Sequence, residues 1–286
     1  MDTSDLAKRM KEFYEQIPKT KLMRRTPVII RIDGKAFHTF TRGFKRPFDE
    51  ILIKTMQETT KYLCENIQGC VLGYTQSDEI SLVLVDYQRF ETSAWFDYEV
   101  QKMCSIASSM ATMKFNQIFS DLVTDAWNEM DYVENKDYLE ALDKACSKGA
   151  MFDARVFNIP KEEVTNCIYW RQLDASRNSI QMVGQSNFSH KELHCKTCND
   201  IQDILMEQKG INWNDFPTYQ KRGSCVIKEN YYVYIDEHGS INEIVPDEGG
   251  NFKDMSGIRS RWVIDKDIPI FKGEGRDYIE KLINFD

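Results

Sequence analysis

Two short apolar runs, VLGYTQ at residues 71–76 and ISLVLV at 80–85, are separated only by the polar Ser77-Asp78-Glu79. Such a pair reads as an antiparallel hairpin, here with a loop slightly longer than the tightest type. Upstream, Pro27 opens VIIRID, a β-branched run that ends at Asp33-Gly34 and predicts a buried strand. Between the two, Asp49 is placed to cap a helix reaching about Ile67, with Ile51, Leu52, Met56 and Leu63 on one face. Residues 94–119 carry a long helical pattern rich in Ala, Ser and Met, with Val100, Met103, Ala107, Met110 and Ala111 near helical spacing. FDARVFNI at 152–159 predicts another strand. Pro160, followed by Glu162 and Glu163, opens a helix through YWRQLDASRNSI. The order β-α-β-β-α-β-α predicts an α+β fold, an antiparallel sheet with helices on one face.

Outside this unit, residues 5–16 read as an amphipathic helix, and the acidic stretch 120–150 as a helical insertion on the surface. From residue 186 the pattern is mixed, with a strand in CVIKENYYVYID, a turn at His238-Gly239 and a last helix near 275–284. No repeat, low-complexity tract or Pro/Gly-rich linker divides the 286 residues. The expectation is one domain over 1–286, a core unit of about 25–185 and a C-terminal extension of about 186–286. No apolar run approaches the ~18 residues of a membrane span, and the charged N-terminus lacks a leader pattern. Eight scattered cysteines, among them Cys104, Cys167 and Cys225 inside apolar patterns, suit reduced thiols and a cytoplasmic location.

Taken as a total, the net charge of −8 argues against a nucleic-acid partner, but the charge is unevenly placed. Residues 1–60 hold 13 Lys+Arg against 8 Asp+Glu. Lys19, Lys21, Arg24, Arg25, Arg31, Lys35, Arg42, Lys45 and Arg46 all fall in one short stretch. Screening limits each charge to a reach of ~8 Å, so a local basic face binds phosphate whatever the total. A solvated surface explains the same run equally simply.

The chemistry-bearing residues are Asp33-Gly34 and Ser77-Asp78-Glu79. In a β-α-β-β sheet, the end of the first strand and the hairpin tip meet at one edge. Two carboxylates beside a backbone carbonyl make a hard, all-oxygen site suited to Mg²⁺ and phosphate. Two such ions ~3.5–4 Å apart activate an attacking hydroxyl and stabilise a leaving phosphate oxygen. Spacing alone leaves open that both aspartates merely serve turns.

RIDGKAFHTFTRGFKRPFD followed by GYTQSDEISLVLV resembles the paired signatures of the tRNA-His guanylyltransferase family, the reverse (3′-to-5′) polymerases. FDARVFNIP, YWRQLDASRN and INWNDFPTYQKRG follow in the family's order, so the resemblance covers roughly residues 5–230. It implies a palm-like ferredoxin fold, a homotetramer, two Mg²⁺ ions, GTP and ATP as substrates, and tRNA as partner. By the same resemblance Asp33, the Gly34 carbonyl and Asp78 match the metal ligands, and Glu79 belongs to the same catalytic signature. The segment Asp33, Gly34, Lys35, Ala36, Phe37, His38, together with Ser77 and Asp78, matches the nucleotide-binding loop. Arg46 stands where the family has a phosphate-contacting lysine, and Lys102 matches a second basic residue facing a triphosphate. Trp170, Arg171, Asp174 and Asn178 match the helix motif after the fourth strand, and the last three share one helical face. For RNA, the candidates are Lys19, Lys21, Arg24, Arg25, Arg171, Asn178, Lys196, Lys221 and Arg222.

One departure bears on specificity. Eukaryotic enzymes that add G to tRNA-His carry His-Ile-Asn-Asn in this helix, whereas this chain has Ser176-Arg177-Asn178-Ser179. That resembles the guanylyltransferase-like branch associated with template-directed repair of tRNA 5′ ends. His190, His194, Cys195 and Cys198 fall too close together for a usual zinc site, and a helical turn with Lys196 near RNA suits them better. Two rival classes remain. A nucleotidyl cyclase would share the palm and metal pair, but its glycine-rich signature is absent. A non-catalytic RNA-binding module would have lost Asp33 and Asp78.

Overall fold

The computed structural model describes residues 4–236, 240–244 and 257–285. The predicted strands form as β1 (Val28–Gly34), β2 (Cys70–Gln76), β3 (Glu79–Leu84) and β4 (Phe152–Asn158). They pair antiparallel in the order β4-β1-β3-β2, the arrangement of a ferredoxin-like unit. β2 also pairs β5 (Ser224–Ile235), which carries β6 (Ile241–Ile244) on one side and β7 (Gly257–Asp265) on the other. The C-terminal residues therefore widen the same sheet. The turn expected at His238-Gly239 lies outside the described residues.

The hairpin connection is shorter than expected. Gln76 faces Glu79 across the strands, leaving only Ser77 and Asp78 as the loop, and Ser77 takes φ 50°. A two-residue connection needs such left-handed backbone to match the strand twist, which the polar triplet did not reveal. Glu79 is thus a strand residue.

The short α1 (Asp5–Met10) runs into a π turn over Lys11–Glu15, and neither buries a side chain. α2 (Phe37–Phe40) follows β1 directly, and α3 (Glu50–Asn66) starts where expected, with the Asp49 carboxylate accepting from the Leu52 N–H at 3.0 Å. α4 spans Val100–Glu129, starting six and ending ten residues later than the apolar pattern indicated, and α5 spans Tyr132–Lys148. The acidic stretch is more than a solvated insertion, because Tyr138, Leu139, Leu142 and Ala145 of α5 are buried against the core. Their spacing puts one face inward and leaves the carboxylates on the other.

Helices cover both faces of the sheet, not one. Val28, Ile30 and Ile32 of β1 point into a core shared with Met56 and Leu63 of α3, Phe115 and Phe119 of α4, and Leu142 of α5. Ile29 points the other way, into a second core with Val164 and Ile168 of α6 (Val164–Asn187) and Ile279 of α10 (Asp277–Ile283). Each fully buried Phe, Leu or Ile adds about 1.5–3 kcal/mol over an exposed position. The strand alternation that divides these residues puts Arg31 and Asp33 on the α6 side of β1. A third cluster, around Ile180, Val183, Ile201 and Trp213, fixes the end of α6 to α8 (Cys198–Lys209). The single turns α7 (His190–Leu193) and α9 (Thr218–Arg222) close the two corners beside it.

Candidate active site

Register brings the two carboxylates together: Asp33 pairs with Glu79, the residue after Asp78, and the Gly34 N–H donates to the Asp78 carbonyl at 3.0 Å. Gly34 has a packing reason as well, since a Cβ there would stand 2.3 Å from the Phe37 ring. Phe37 is buried, with its ring centroid 5.6 Å from Phe115 and 5.2 Å from Phe152. This aromatic anchor holds the Lys35–Phe40 turn against α4, and Ala36 is held left-handed at φ 55°. Burial pushes the Asp78 carboxyl above the usual carboxylate range, and the nearby Asp33 charge adds to that. The Ser77 hydroxyl, 3.0 Å from Asp78 Oδ1, and a backbone N–H act in the opposite sense. Two like charges and the free Gly34 carbonyl make a donor set that fits a hard divalent cation.

A cavity of about 490 Å³ adjoins this edge, lined by Phe37, His38, Arg46, Ser77 and Asp78 from the predicted loop. Thr41, Arg42, Phe44, Lys45, Pro47, Asp49, Leu52, Met182 and Gln185, none of which the sequence assigned to the site, complete its wall. Arg42 and Lys45 belonged to the noted basic run. Met182 and Gln185 follow Asn178 by four and seven residues, so the helical face through Asn178 pointed to them. Asp49 is buried here: besides capping α3 it accepts from the Lys45 N–H at 3.1 Å and the Tyr138 hydroxyl at 2.9 Å. The acidic α5 thereby props the loop that carries Arg42, Lys45 and Arg46. A smaller adjoining cavity of about 80 Å³ reaches Asn178, Ser179 and Gln220.

Glu79 faces away from the cavity. It is buried, and both its oxygens accept from Arg171, Oε1 from Nε at 2.6 Å and Oε2 from Nη2 at 2.6 Å. Arg171 also reaches Asp174 at 3.0 Å, and Asn178 donates to the same carboxylate at 3.4 Å. Arg171, expected to touch RNA, is therefore a buried brace under the hairpin. Lys221 is likewise buried, its ammonium donating to the Asn214 carbonyl at 2.5 Å. Arg222 is half-buried, and its carbonyl accepts from the Tyr74 hydroxyl at 2.6 Å. Lys196 and Lys35 are exposed. Lys102 is exposed, lies over the Phe96 ring at 4.7 Å and sits at the start of α4. It is ten residues, ~15 Å of helix, before Thr112, whose hydroxyl accepts from the Phe152 N–H at the level of Gly34. The fold keeps it out of the Asp78 cavity.

The first part of the basic run, Lys19, Lys21, Arg24 and Arg25, is separated from the site by the length of β1. Lys21 pairs with Asp97, and Arg24 with Asp97 at 3.2 Å and with the buried Asp86 at 2.6 Å. The Arg25 N–H also donates to Asp86, at 2.8 Å, and Lys19 lies 3.8 Å from Glu15. Lys21, Arg24 and Arg25 hold the 86–97 segment, a packing role that composition did not distinguish from an RNA face. Among the described residues no group of three His, Cys, Asp or Glu side chains converges as a metal site, and the Cys195 thiol rests 3.0 Å from His194 Nδ1. No described helix is long and apolar enough to cross a membrane.

Residues 7–160 match the family model described as Thg1, tRNAHis guanylyltransferase. The chain belongs to the tRNAHis guanylyltransferase family. Its enzyme class, a nucleotidyltransferase, follows from that membership. Among solved structures, a bacterial tRNA(His) guanylyltransferase (Thg1)-like protein in complex with ATP is 39% identical, with a TM-score of 0.76 over 98% of this chain and 100% of that one. One in complex with GTP is 37% identical, with a TM-score of 0.72 over 98% and 99%. The Saccharomyces cerevisiae tRNA(His) guanylyltransferase structure, 22% identical with a TM-score of 0.59 over 75% of this chain and 91% of that one, shares the fold.

Proposed function

We propose that this family member is a template-directed 3′-to-5′ nucleotidyltransferase that restores missing nucleotides at tRNA 5′ ends. The observation that carries this is the state of the two departing residues on α6. The Ser176 hydroxyl donates to the Gln172 carbonyl at 3.1 Å, and the buried Ser179 hydroxyl accepts from Trp213 Nε1 at 3.0 Å. Both hydroxyls are engaged within the protein, and on this reading neither serves as a fixed reader of the incoming base. Selection by pairing with the opposite strand then supplies the specificity.

Asp33, Asp78 and the Gly34 carbonyl would hold two Mg²⁺. Bound there, the ions lower the pKa of an attacking hydroxyl and neutralise charge on the reacting phosphates. The chain's own residues do the positioning. Arg42, Lys45 and Arg46 line the cavity where a triphosphate would lie, and charge-assisted contacts of this kind are the strong ones. The Arg171–Glu79 pair and the Gly34 N–H fix the hairpin tip that carries Asp78 beside the end of β1. In the reaction proposed, an oxygen of the tRNA 5′-monophosphate attacks the α-phosphorus of ATP and pyrophosphate departs. The 3′-hydroxyl of GTP then loses its proton and attacks the activated 5′-phosphorus, expelling AMP.

The same reading takes the chain as one catalytic domain, since β5 continues the sheet from β2, and as cytoplasmic, in keeping with its eight free cysteines. A homotetramer is part of it, supported by the exposed Leu6, Phe13, Tyr14 and Ile17 on the N-terminal turns. Labelled GTP offered with ATP, Mg²⁺ and a 5′-monophosphorylated tRNA should enter the RNA. Asp33→Ala and Asp78→Ala should each fold and lose far more than tenfold of that activity, tenfold being only ~1.4 kcal/mol of barrier. Retention of a tenth of the activity in either variant would sink the assignment.

A further inference from the structure

The outermost strand β4 is covered on only one face. Ala154 and Val156 pack into the core beneath α4, and the alternate residues Asp153, Arg155 and Phe157 point to the α6 side. There Asp153 and Arg155 have side chains 57% and 58% exposed, and Phe157 is 36% exposed. In register they stand beside Asp33, Arg31 and Ile29 of β1. Trp170 of α6 overhangs this strip, 53% exposed, with the Arg31 guanidinium 5.7 Å and the Arg171 guanidinium 4.5 Å from its ring.

Arg31 is the unusual member. Its Nε is buried and donates no hydrogen bond among the described residues. The nearest carboxylate oxygen, Glu79 Oε2, is 3.9 Å away and already accepts from Arg171 at 2.6 Å. The Arg31 side chain is 24% exposed, and that open part of the guanidinium can meet an anion from solvent. It lies two residues before Asp33, about 7 Å along the strand. The cavity that holds Arg46 lies on the α2 side of Asp78, so this strip approaches the carboxylates from a different direction.

We propose that this open face of β1 and β4 under Trp170 seats the acceptor end of the tRNA, a terminal base stacking on Trp170 and Arg31 and Arg155 contacting its phosphates. The proposal rests on the reading of a tRNA 5′-end nucleotidyltransferase and adds where the RNA lies. RNA is the occupant the chemistry favours. The patch combines an exposed indole with guanidinium groups, the pairing of stacking platform and phosphate contact that single-stranded RNA ends use, and the exposed Met151, Phe157 and Leu173 flank it. With GTP in the cavity and RNA on this strip, the two reactants meet at Asp33 and Asp78 from separate sides.

The test is the affinity of the full-length protein for an acceptor-stem RNA hairpin bearing a 5′-monophosphate, measured by fluorescence anisotropy over a salt series. Trp170→Ala should weaken binding roughly five- to tenfold or more, as expected for loss of one base–aromatic stack, and Trp170→Phe should recover most of it. Arg155→Gln, which removes contacts only to Asp153 within the protein, should lower the salt slope by about 0.7–0.9. GTP affinity should stay within about twofold in all three variants. Unchanged hairpin affinity in Trp170→Ala and Arg155→Gln overturns the proposal. So does a parallel loss of GTP and hairpin binding, which would mark Trp170 as a support for Arg171 alone. Failure of the unaltered protein to extend a hairpin that it binds counts against the proposed activity, and the affinity comparison still decides the surface.

Discussion

Arg171 grips Glu79 through both carboxylate oxygens, at 2.6 Å each, across 92 residues of chain and one residue from Asp78. Both partners are buried, so removing one takes from the other its closest charge partner, leaving Arg171 with Asp174 or Glu79 with the more distant Arg31, at a cost of up to about 3–5 kcal/mol. Arg171→Met and Glu79→Gln should each lower stability in urea by an amount of that order, and the double variant by less than the sum. Additive losses would show that the pair does not act as a unit. If Glu79 serves as a brace, Arg171→Met should also lower kcat without changing the number of metal ions bound.

The Asp78 carboxyl sits above its ordinary pKa, chiefly through burial and further through Asp33. Folding thus favours its protonated form, and the ionised form costs stability at pH values above the raised pKa. That cost fades as pH falls through the raised value and is gone below the ordinary aspartate range. Asp78→Asn should accordingly melt about 2 °C higher than the unaltered protein at pH 7, match it near pH 3, and be inactive. Mg²⁺ should raise the melting temperature of the unaltered protein more than that of the variant. A variant less stable at pH 7 would contradict this account of the site.

The parts legible in the sequence were those set by neighbours along the chain. The β-branched run 28–32 needs only its own side chains to favour a strand, and Asp49 caps α3 through its own turn. Asp33, Gly34 and Asp78 could be placed together because a β-α-β-β order leaves one way to meet. What stayed hidden depends on distant partners. Nothing local to Arg171 says that it lies beneath Glu79, or that Arg24 answers the buried Asp86. The strand alternation that puts Ile29 opposite Ile30 was visible, but a second covered face required knowing that α6 lies across it. The left-handed Ser77 is likewise a property of the closed hairpin rather than of serine.

Arg46 lines the cavity and Lys102 does not. Arg46→Ala should raise the GTP concentration needed for half-maximal rate by tenfold or more, from loss of a charge-assisted contact worth ~1.5–3 kcal/mol. Lys102→Ala should leave it within about a factor of two. A steady-state titration of GTP on both variants decides, and an equal effect of the two would mean that Lys102 reaches the nucleotide by a route one chain does not provide.

The cations at Lys21, Arg24 and Arg25 carry the 86–97 segment. Neutralising Arg24 leaves the buried Asp86 with only the Arg25 N–H, so Arg24→Ala should lower the melting temperature by roughly 2–4 °C or more. Its effect on tRNA affinity at matched salt should be small. A stable Arg24→Ala protein with a sharply reduced salt slope would restore the basic run as an RNA face.

The decisive question is what chooses the incoming nucleotide. Ser176 and Ser179 have their hydroxyls engaged by the Gln172 carbonyl and by Trp213, and the proposed function takes neither as a reader of the base. Pairing with the opposite strand is then the available source of selection. A tRNA lacking its 5′ G opposite C should be extended faster with GTP than the same RNA with A at that position, and faster than an intact tRNA gains an unpaired G. A mispair typically forfeits hydrogen bonds whose desolvated partners cost ~1–3 kcal/mol, so the preference should be at least fivefold. Ser179→Asn is a useful control, because it would disturb Trp213 without creating a template. Equal rates opposite C and opposite A would refute template direction and identify a dedicated tRNA-His enzyme.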